Sequence, residues 1–324
     1  MRKDPIKKAL QKVQDLRSQG PSEASLEAVL GLIQSQPGIV VASAASLAAD
    51  WQAETLAPAL RDAFERLSTD GPEDDPQCWG KVAIIKALHE LAWQDASVYV
   101  QGCQSVQPEP VYGGQEDSAA PVRTASFQAL VQLPVVATST VMNTLADLLA
   151  DSSAKVRAAA ARASVYCPAE LTQPLLRLKL RTGDAEPRVL GTCFDALLVL
   201  EPGSESVQLV FEYTHSPDEV LQAEALAALA SSALAEAVGA VTVSYKNIKD
   251  TQLRRVLLTA LGGSPTQEAF DFLCHTLETA PLPEASWALE ALNIRGVEEE
   301  KRVRVASVLE ARQDDALWRA FRAW

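Results

Sequence analysis

The stretch Asp151–Val165, DSSAKVRAAAARASV, sets a pattern that returns along much of this 324-residue chain. Asp151 opens a turn, the pair Val156-Arg157 follows, and a run of alanines continues as a helix. Each similar stretch carries an apolar residue near the start of its helix. These anchor residues are Val122, Val156, Val189, Leu221 and Leu253. They are 34, 33, 32 and 32 residues apart, a spacing typical of arrays built from two-helix repeats.

The residues around each anchor suit close helix packing. The pair Ala-Leu follows four of the five anchors at a distance of seven and eight residues. Alanine lets neighbouring helices approach, and leucine fills the space between repeats. An acidic residue precedes every anchor, where it can accept hydrogen bonds from the free amides of the helix start. These acidic residues are Asp117, Asp151, Asp184, Asp218 and Asp250.

One helix hairpin cannot bury its apolar face alone, so successive hairpins must stack. We therefore expect an all-α fold, an α-solenoid formed by a superhelical array of antiparallel helix hairpins. A single array is expected over 1–324. An N-terminal capping helix is predicted at 1–21, repeats over 22–310 and a C-terminal cap over 311–324.

The composition indicates an acidic protein with a cytoplasmic location. The net charge is −13, which disfavours general binding to nucleic-acid phosphates and anionic membranes. The five cysteines are scattered, which predicts reduced, buried thiols rather than disulfides. The longest apolar run, Ile39–Ala49, is too short to span a bilayer, and the basic N-terminal stretch lacks the apolar core of a signal peptide.

The copies D-x-x-x-x-V-R-x-x-A-x-x-A, as in Asp151–Ala163, resemble HEAT repeats, specifically the short bacterial HEAT-like repeats also found in phycobilin lyases. The resemblance covers about 22–310 and is strongest over 117–262. It implies a ladder of Asp and Arg side chains along the array. On that basis Asp151 is expected to pair with Arg157, and Asp250 with Arg254. The ladder is incomplete, because the copy at Leu221 has glutamine in place of arginine.

Arginines near the starts of the second helices are the first candidate binding residues. In HEAT arrays these helices line the concave surface, where arginines can bind carboxylates of a partner. The alternative, which we favour, is that they form the structural ladder with nearby aspartates. The arginines are Arg123, Arg157, Arg188, Arg254 and Arg255.

The segment 107–119, QPEPVYGGQEDSA, is the second candidate. It is the longest segment without helical periodicity, and its prolines and glycines predict an irregular loop. Loops that project from a repeat array often carry contacts, so Tyr112, Gln115 and Glu116 are predicted partner-binding residues. The alternative is an insertion that the array tolerates.

Motifs of catalysis and metal binding are sparse. Among HEAT proteins, which the repeats resemble, metal-dependent hydroxylases carry repeated His-Glu pairs. This chain has one such dipeptide, His89-Glu90, and its other two histidines are His215 and His275. It has no G-x-S-x-G elbow, Walker loop or zinc-binding spacing. No catalytic, cofactor-binding or metal-binding residue is predicted, and no cofactor.

Charged and aromatic clusters are interpreted as structural. Three groups of acidic residues are assigned to solvated faces and helix caps: Asp74-Asp75, Glu298–Glu300 and Asp314-Asp315. The first group belongs to an acidic linker at 70–77 that is expected to be exposed. A small basic cluster consists of Arg177, Lys179 and Arg181. The terminal aromatics are expected to cap the last repeat, or alternatively to dock on a partner. They are Trp318, Phe321 and Trp324.

The favoured function is a non-enzymatic scaffold or adaptor that binds protein partners through the second-helix face and the segment 107–119. An enzymatic activity is less favoured than a non-enzymatic role. The resemblance adds one alternative, a lyase or chaperone-like subunit that handles a bilin-type prosthetic group. A HEAT-type nucleic-acid enzyme is a further alternative, which the charge of −13 disfavours.

Overall fold

The computed structural model describes residues 3–296 and 298–324, and most of them lie in helices. They form two compact units, one ending at Pro168 and the other spanning Ala169–Trp324. The predicted all-α fold built from helix hairpins is confirmed. A single array over 1–324 stays a prediction, and residues 1 and 2 of the predicted capping helix lie outside the described residues.

The first unit arranges its helices as successive hairpins. Its described helices are α1 (Lys3–Gln19), α2 (Glu23–Ser35), α3 (Gly38–Asp50), α4 (Ala57–Thr69), α5 (Trp79–Glu90), α6 (Ala96–Cys103), α7 (Ala120–Leu130), α8 (Thr138–Leu149) and α9 (Ala154–Ala163). Two short strands, β1 (Pro108–Val111) and β2 (Gly114–Asp117), lie between α6 and α7. The second helices α3, α5, α7 and α9 pack on one another in chain order, while α2 packs on α4 and α6 on α8.

The second unit repeats this arrangement. Its described helices are α10 (Ala169–Thr182), α11 (Pro187–Leu200), α12 (Ser204–Glu212), α13 (Glu219–Ser231), α14 (Ala235–Tyr245), α15 (Thr251–Gly263), α16 (Gln267–Thr279), α17 (Leu282–Leu292), α18 (Glu299–Arg312) and α19 (Asp315–Phe321). α11, α13, α15 and α17 pack in succession, and so do α12, α14, α16 and α18.

The acidic residues before the anchors start the second helices in two ways. Asp218 and Asp250 are N-caps, and Asp250 Oδ1 accepts a hydrogen bond from the amide of Leu253 at 2.7 Å. Asp151 instead accepts from the amide of Ser153, before the helix begins, at 2.8 Å. In both arrangements the carboxylate satisfies an amide that the helix leaves free.

Helices α3 and α5 approach each other at two glycines. A Cβ atom on Gly80 would lie 2.8 Å from the Cα of Gly38 and 2.7 Å from Cδ1 of Leu67. A Cβ atom on Gly38 would overlap the carboxylate of Asp75. Only glycine lets the two backbones come this close, so this pair fixes the position of α5 against α3.

Candidate functional site: a groove walled by a β-hairpin

A groove of about 1350 Å³ lies on the second-helix layer of the first unit. Residues of α3, α5, α7 and α9 line it together with residues of both strands. Small side chains make up much of its floor, which leaves room for a bound segment. They are Ala83, Ala87, Ala125, Ala154 and Ala159.

The prediction of an irregular loop at 107–119 is wrong in one respect, because the central part of this segment is a β-hairpin. β1 pairs with β2 in antiparallel register, with Pro108 opposite Asp117 and Val111 opposite Gly114. The turn contains Tyr112 and Gly113, and Gly113 has φ +94°, a conformation that glycine adopts without strain. The two prolines concealed the strand pattern in the sequence, although Tyr-Gly-Gly between two short extended stretches is a turn signal.

The predicted binding residues of this segment lie on its exposed parts. Tyr112 is at the tip and is fully exposed, and Gln115 and Glu116 are exposed on β2. Glu116 also lines the groove. The sequence did not single out Trp79, which is 52% exposed at the start of α5 and lines the same groove. A half-exposed tryptophan beside a cavity is a typical contact residue.

A polar cluster holds the base of the hairpin against α5. Glu109 Oε1 accepts hydrogen bonds from the amide of Gln77 at 2.6 Å, from Gln107 Nε2 at 2.7 Å and from Ser118 Oγ at 2.6 Å. Burial alone would raise the pKa of Glu109, but these three hydrogen bonds lower it below its usual value. Glu109 therefore stays ionised and fixes the hairpin as a rigid wall of the groove.

The prediction that the linker at 70–77 is exposed is wrong for Asp75, which is fully buried. Its oxygens accept from the amides of Gly80 at 2.7 Å and Lys81 at 3.1 Å. Burial raises the pKa of Asp75, and these hydrogen bonds oppose the rise. The buried Lys81 ammonium lies 3.9 Å from Asp75 and donates to Gln107 Oε1, which connects the linker to the hairpin.

The turn into α5 is strained where it reaches this cluster. Gln77 and Cys78 both adopt left-handed conformations, with φ of 56° and 55°. Burial raises the pKa of the Cys78 thiol, whose Sγ lies 3.5 Å from Ser118 Oγ. A neutral, buried thiol is a poor nucleophile, so the arrangement suits the anchoring of the hairpin rather than catalysis.

Arg123 is buried and connects two successive repeats. It is 3% exposed. Its Nη1 lies 2.6 Å from Asp117 Oδ2, and its Nε lies 2.8 Å from Asp151 Oδ2. Burial would raise the pKa of Asp117, but amides of Gln107 and Ala119 and the Arg123 guanidinium lower it. The structural ladder, the alternative weighed from the sequence, is the role that this geometry supports.

The arginine of the next copy makes different contacts from those expected. Arg157 donates to the backbone carbonyl oxygens of Asp151 at 2.7 Å and Ser152 at 3.0 Å. The Asp151 carboxylate accepts from Arg123 Nη2 at 2.9 Å. The ladder thus runs between repeats, from Arg123 to Asp151, because a guanidinium at the start of one second helix reaches the turn before the next.

The second unit contains the same type of link at Arg254. Its Nη2 lies 2.6 Å from Glu284 Oε2, and its guanidinium carbon lies 4.4 Å from the centre of the Tyr245 ring. The expected pairing with Asp250 is replaced, since that carboxylate caps α15. Arg188 is exposed, with its Nε 4.0 Å from Glu224. Both arginines belong to the second unit, whereas the groove belongs to the first.

The basic cluster of the second unit is neutralised by acidic neighbours. Arg177 lies 2.8 Å from Glu201, Lys179 lies 2.7 Å from Asp184, and Arg181 lies 3.3 Å from Glu212. These ion pairs leave little free positive charge for a phosphate backbone.

Other features behave as structural parts of the array. At the C-terminus the Phe321 ring is buried and contacts the Trp318 and Trp324 rings at 5.7 and 4.9 Å, as a cap would. In the described part of the chain no three His, Cys, Asp or Glu side chains come together as metal ligands. None of the helices in residues 3–296 and 298–324 combines the length and apolar character that crossing a membrane requires.

Comparisons with known proteins match the fold and little else. No family model and no curated protein matches the chain. Among structures, a model of the full-length AP-3 complex in an intermediate open conformation is 14% identical, with 94% of this chain and 57% of that chain covered and a TM-score of 0.57.

Two other similar structures have lower TM-scores. The complex of CpcE and CpcF of phycocyanin lyase from a Nostoc species is 16% identical, with 76% of this chain and 94% of that chain covered and a TM-score of 0.42. The Pds5–Scc1 complex is 10% identical, with 94% and 63% covered and a TM-score of 0.33. Identities this low bear on fold alone. The chain thus has an all-α fold of stacked helix hairpins, and the AP-3 model has a similar fold.

Proposed function

We propose that this protein is a scaffold that binds a segment of a partner protein in the groove of its first unit. The observation that carries the proposal is the rigid hairpin wall, held by Glu109 at the edge of a 1350 Å³ groove. A groove with a floor of small side chains accepts a peptide backbone closely. The exposed rings of Trp79 and Tyr112 supply contact area for a partner.

The position of the hairpin supports binding rather than catalysis. The buried Asp75 and Lys81 near the groove lie beside each other, and the Asp75 carboxylate also accepts from backbone amides. Gln77 and Cys78 keep left-handed backbone conformations in the turn that contacts the base of the hairpin. Such strained conformations persist where surrounding contacts fix the backbone in one geometry. A wall fixed in advance reduces the ordering that binding would otherwise require.

The test is affinity purification with a variant whose groove is filled. Ala125 on α7 lines the groove, so A125R places a long side chain there and keeps a good helix former. Ala146, exposed on the first-helix layer, gives the matched control A146R. We expect a partner that is retained by the wild type and A146R and lost by A125R. The recovered partner is then purified and titrated against all three proteins by calorimetry.

Equal affinity of the wild type and A125R in that titration would contradict the proposal. Circular dichroism of both variants checks that the helices are intact, so that loss of binding is assigned to the groove.

A further inference from the structure

The two outer edges of the hairpin differ in their hydrogen-bonding groups. The amide of Ser118 donates to Gln107 O at 2.9 Å, which continues the ladder of β1 and β2. In an antiparallel ladder, pairs that exchange hydrogen bonds alternate with pairs that do not. Glu109 and Glu116 therefore exchange them, whereas Pro110 and Gln115 direct their backbone groups outward.

The outer edge of β1 cannot donate hydrogen bonds at its two proline positions. By this alternation, the backbone groups of Pro108 and Pro110 point away from β2, and proline has no N–H to donate. Prolines at such positions block the pairing of another strand. The outer edge of β2 has no such block. Gln115 is exposed there and directs both its N–H and its C=O outward.

Charge indicates which kind of segment fits beside β2. Glu116 is exposed on this strand, next to Gln115, and the chain as a whole carries a charge of −13. A cross-strand neighbour of opposite charge stabilises a strand pair, and a negative protein attracts a positive partner. A second copy of this chain would add its own negative charge at the same edge.

We propose that a basic, extended segment of a partner protein adds as a third strand to the outer edge of β2. It pairs with the backbone of Gln115 and places a lysine or arginine beside Glu116. This inference rests on the proposed function and names the binding mode. Strand addition draws its affinity from main-chain hydrogen bonds and its specificity from alternate side chains.

The test uses the full chain and two short synthetic peptides, each about seven residues long, the length of an ordinary strand. One alternates Lys with Thr and Val, and its twin has Glu in place of Lys. Q115P removes the outward N–H and leaves the hairpin ladder intact, whereas Q115A keeps the N–H and removes the side chain. P110A restores one N–H on β1, whose outer edge Pro108 still blocks, and serves as a second control.

We expect the Lys peptide to bind, measured by fluorescence anisotropy. Its dissociation constant should rise about tenfold in Q115P, the equivalent of losing one main-chain hydrogen bond, and stay unchanged in Q115A and P110A. E116Q should weaken binding and reduce its dependence on salt. Unchanged thermal unfolding of Q115P shows that the hairpin is still folded.

Several results would overturn the inference. They are equal binding of the Lys peptide to Q115P and Q115A, no binding of it, or stronger binding of the Glu peptide. A wild-type dimer in sedimentation that Q115P dissociates would show that a second copy takes the edge. If A125R abolishes binding of the purified partner while Q115P does not, the groove binds protein and strand addition is wrong. If neither variant changes that binding, the proposed function fails as well.

Discussion

Replacing Arg123 by methionine should cost the protein a large part of its stability. The guanidinium joins Asp117 and Asp151 at 2.6 and 2.8 Å and also donates to Ser105 O at 2.8 Å. The side chains of Arg123 and Asp151 are 4% and 11% exposed, so water screens these contacts little. Removing one partner of a buried ion pair costs about 3–5 kcal/mol, because the remaining charges lose their compensation.

Urea unfolding followed by circular dichroism at pH 7 measures this loss of stability. R162M, which removes an exposed arginine from α9, is the matched control and should change the free energy of unfolding by less than about 0.5 kcal/mol. In the wild type the folded-state pKa of Asp117 lies below its unfolded value of about 3.9. Its stabilising contribution is present above the unfolded pKa and is lost as pH falls through the folded pKa.

The difference between R123M and wild type should therefore shrink as pH falls below about 4, where protonation neutralises the Asp117 carboxylate that the variant leaves unpaired. A loss below about 1 kcal/mol at pH 7 would refute the reasoning, because it would mean that the link behaves like an ordinary surface ion pair. A difference independent of pH would refute the electrostatic cause.

Two further predictions concern the packing and the acid sensitivity of the first unit. G80A should destabilise it by about 1–3 kcal/mol through overlap with Gly38, whereas G31A, which faces open space within α2, should stabilise it by roughly 0.5–1 kcal/mol. Urea unfolding measures both, and equal signs would contradict the close approach. The folded-state pKa of Glu109 is lowered, so its ionised carboxylate stabilises the folded protein above an unfolded pKa of about 4.3. This stabilisation is lost as pH falls through the folded-state pKa. E109Q should thus be less stable than wild type at pH 7, with a milder loss of stability under acid; parallel pH profiles would contradict this.

The repeat architecture could be predicted because its signals are local and periodic. Alanine, leucine and an acidic residue at fixed offsets from each anchor depend only on helix geometry and capping, so Asp218 and Asp250 were placed correctly. The ladder was only half predictable. The arginines are predicted correctly but their partners are not, since Arg123 binds Asp151 of the next repeat and Arg254 binds Glu284. Which partner an arginine reaches depends on how neighbouring hairpins stack.

The site was harder to predict, since its parts are distant in sequence. Asp75 and Glu109 belong to segments that look polar and exposed, and only their packing against α5 buries the first and pairs the second. Arg123 is likewise buried among residues that are distant in sequence, since its guanidinium contacts Ser105, Asp117 and Asp151. The sequence does show that the helical periodicity is interrupted at 107–119, and the hairpin lies within that segment.

The hydrogen bonds that fix the hairpin all lie at its base, at Gln107, Glu109, Asp117 and Ser118. The tip, at Tyr112 and Gly113, is exposed. Residues added to or removed from the tip would change the height of the wall and leave these anchoring contacts in place. Groove depth and repeat stability can therefore vary independently, which makes the tip a natural position for grafting a new recognition loop onto an unchanged array.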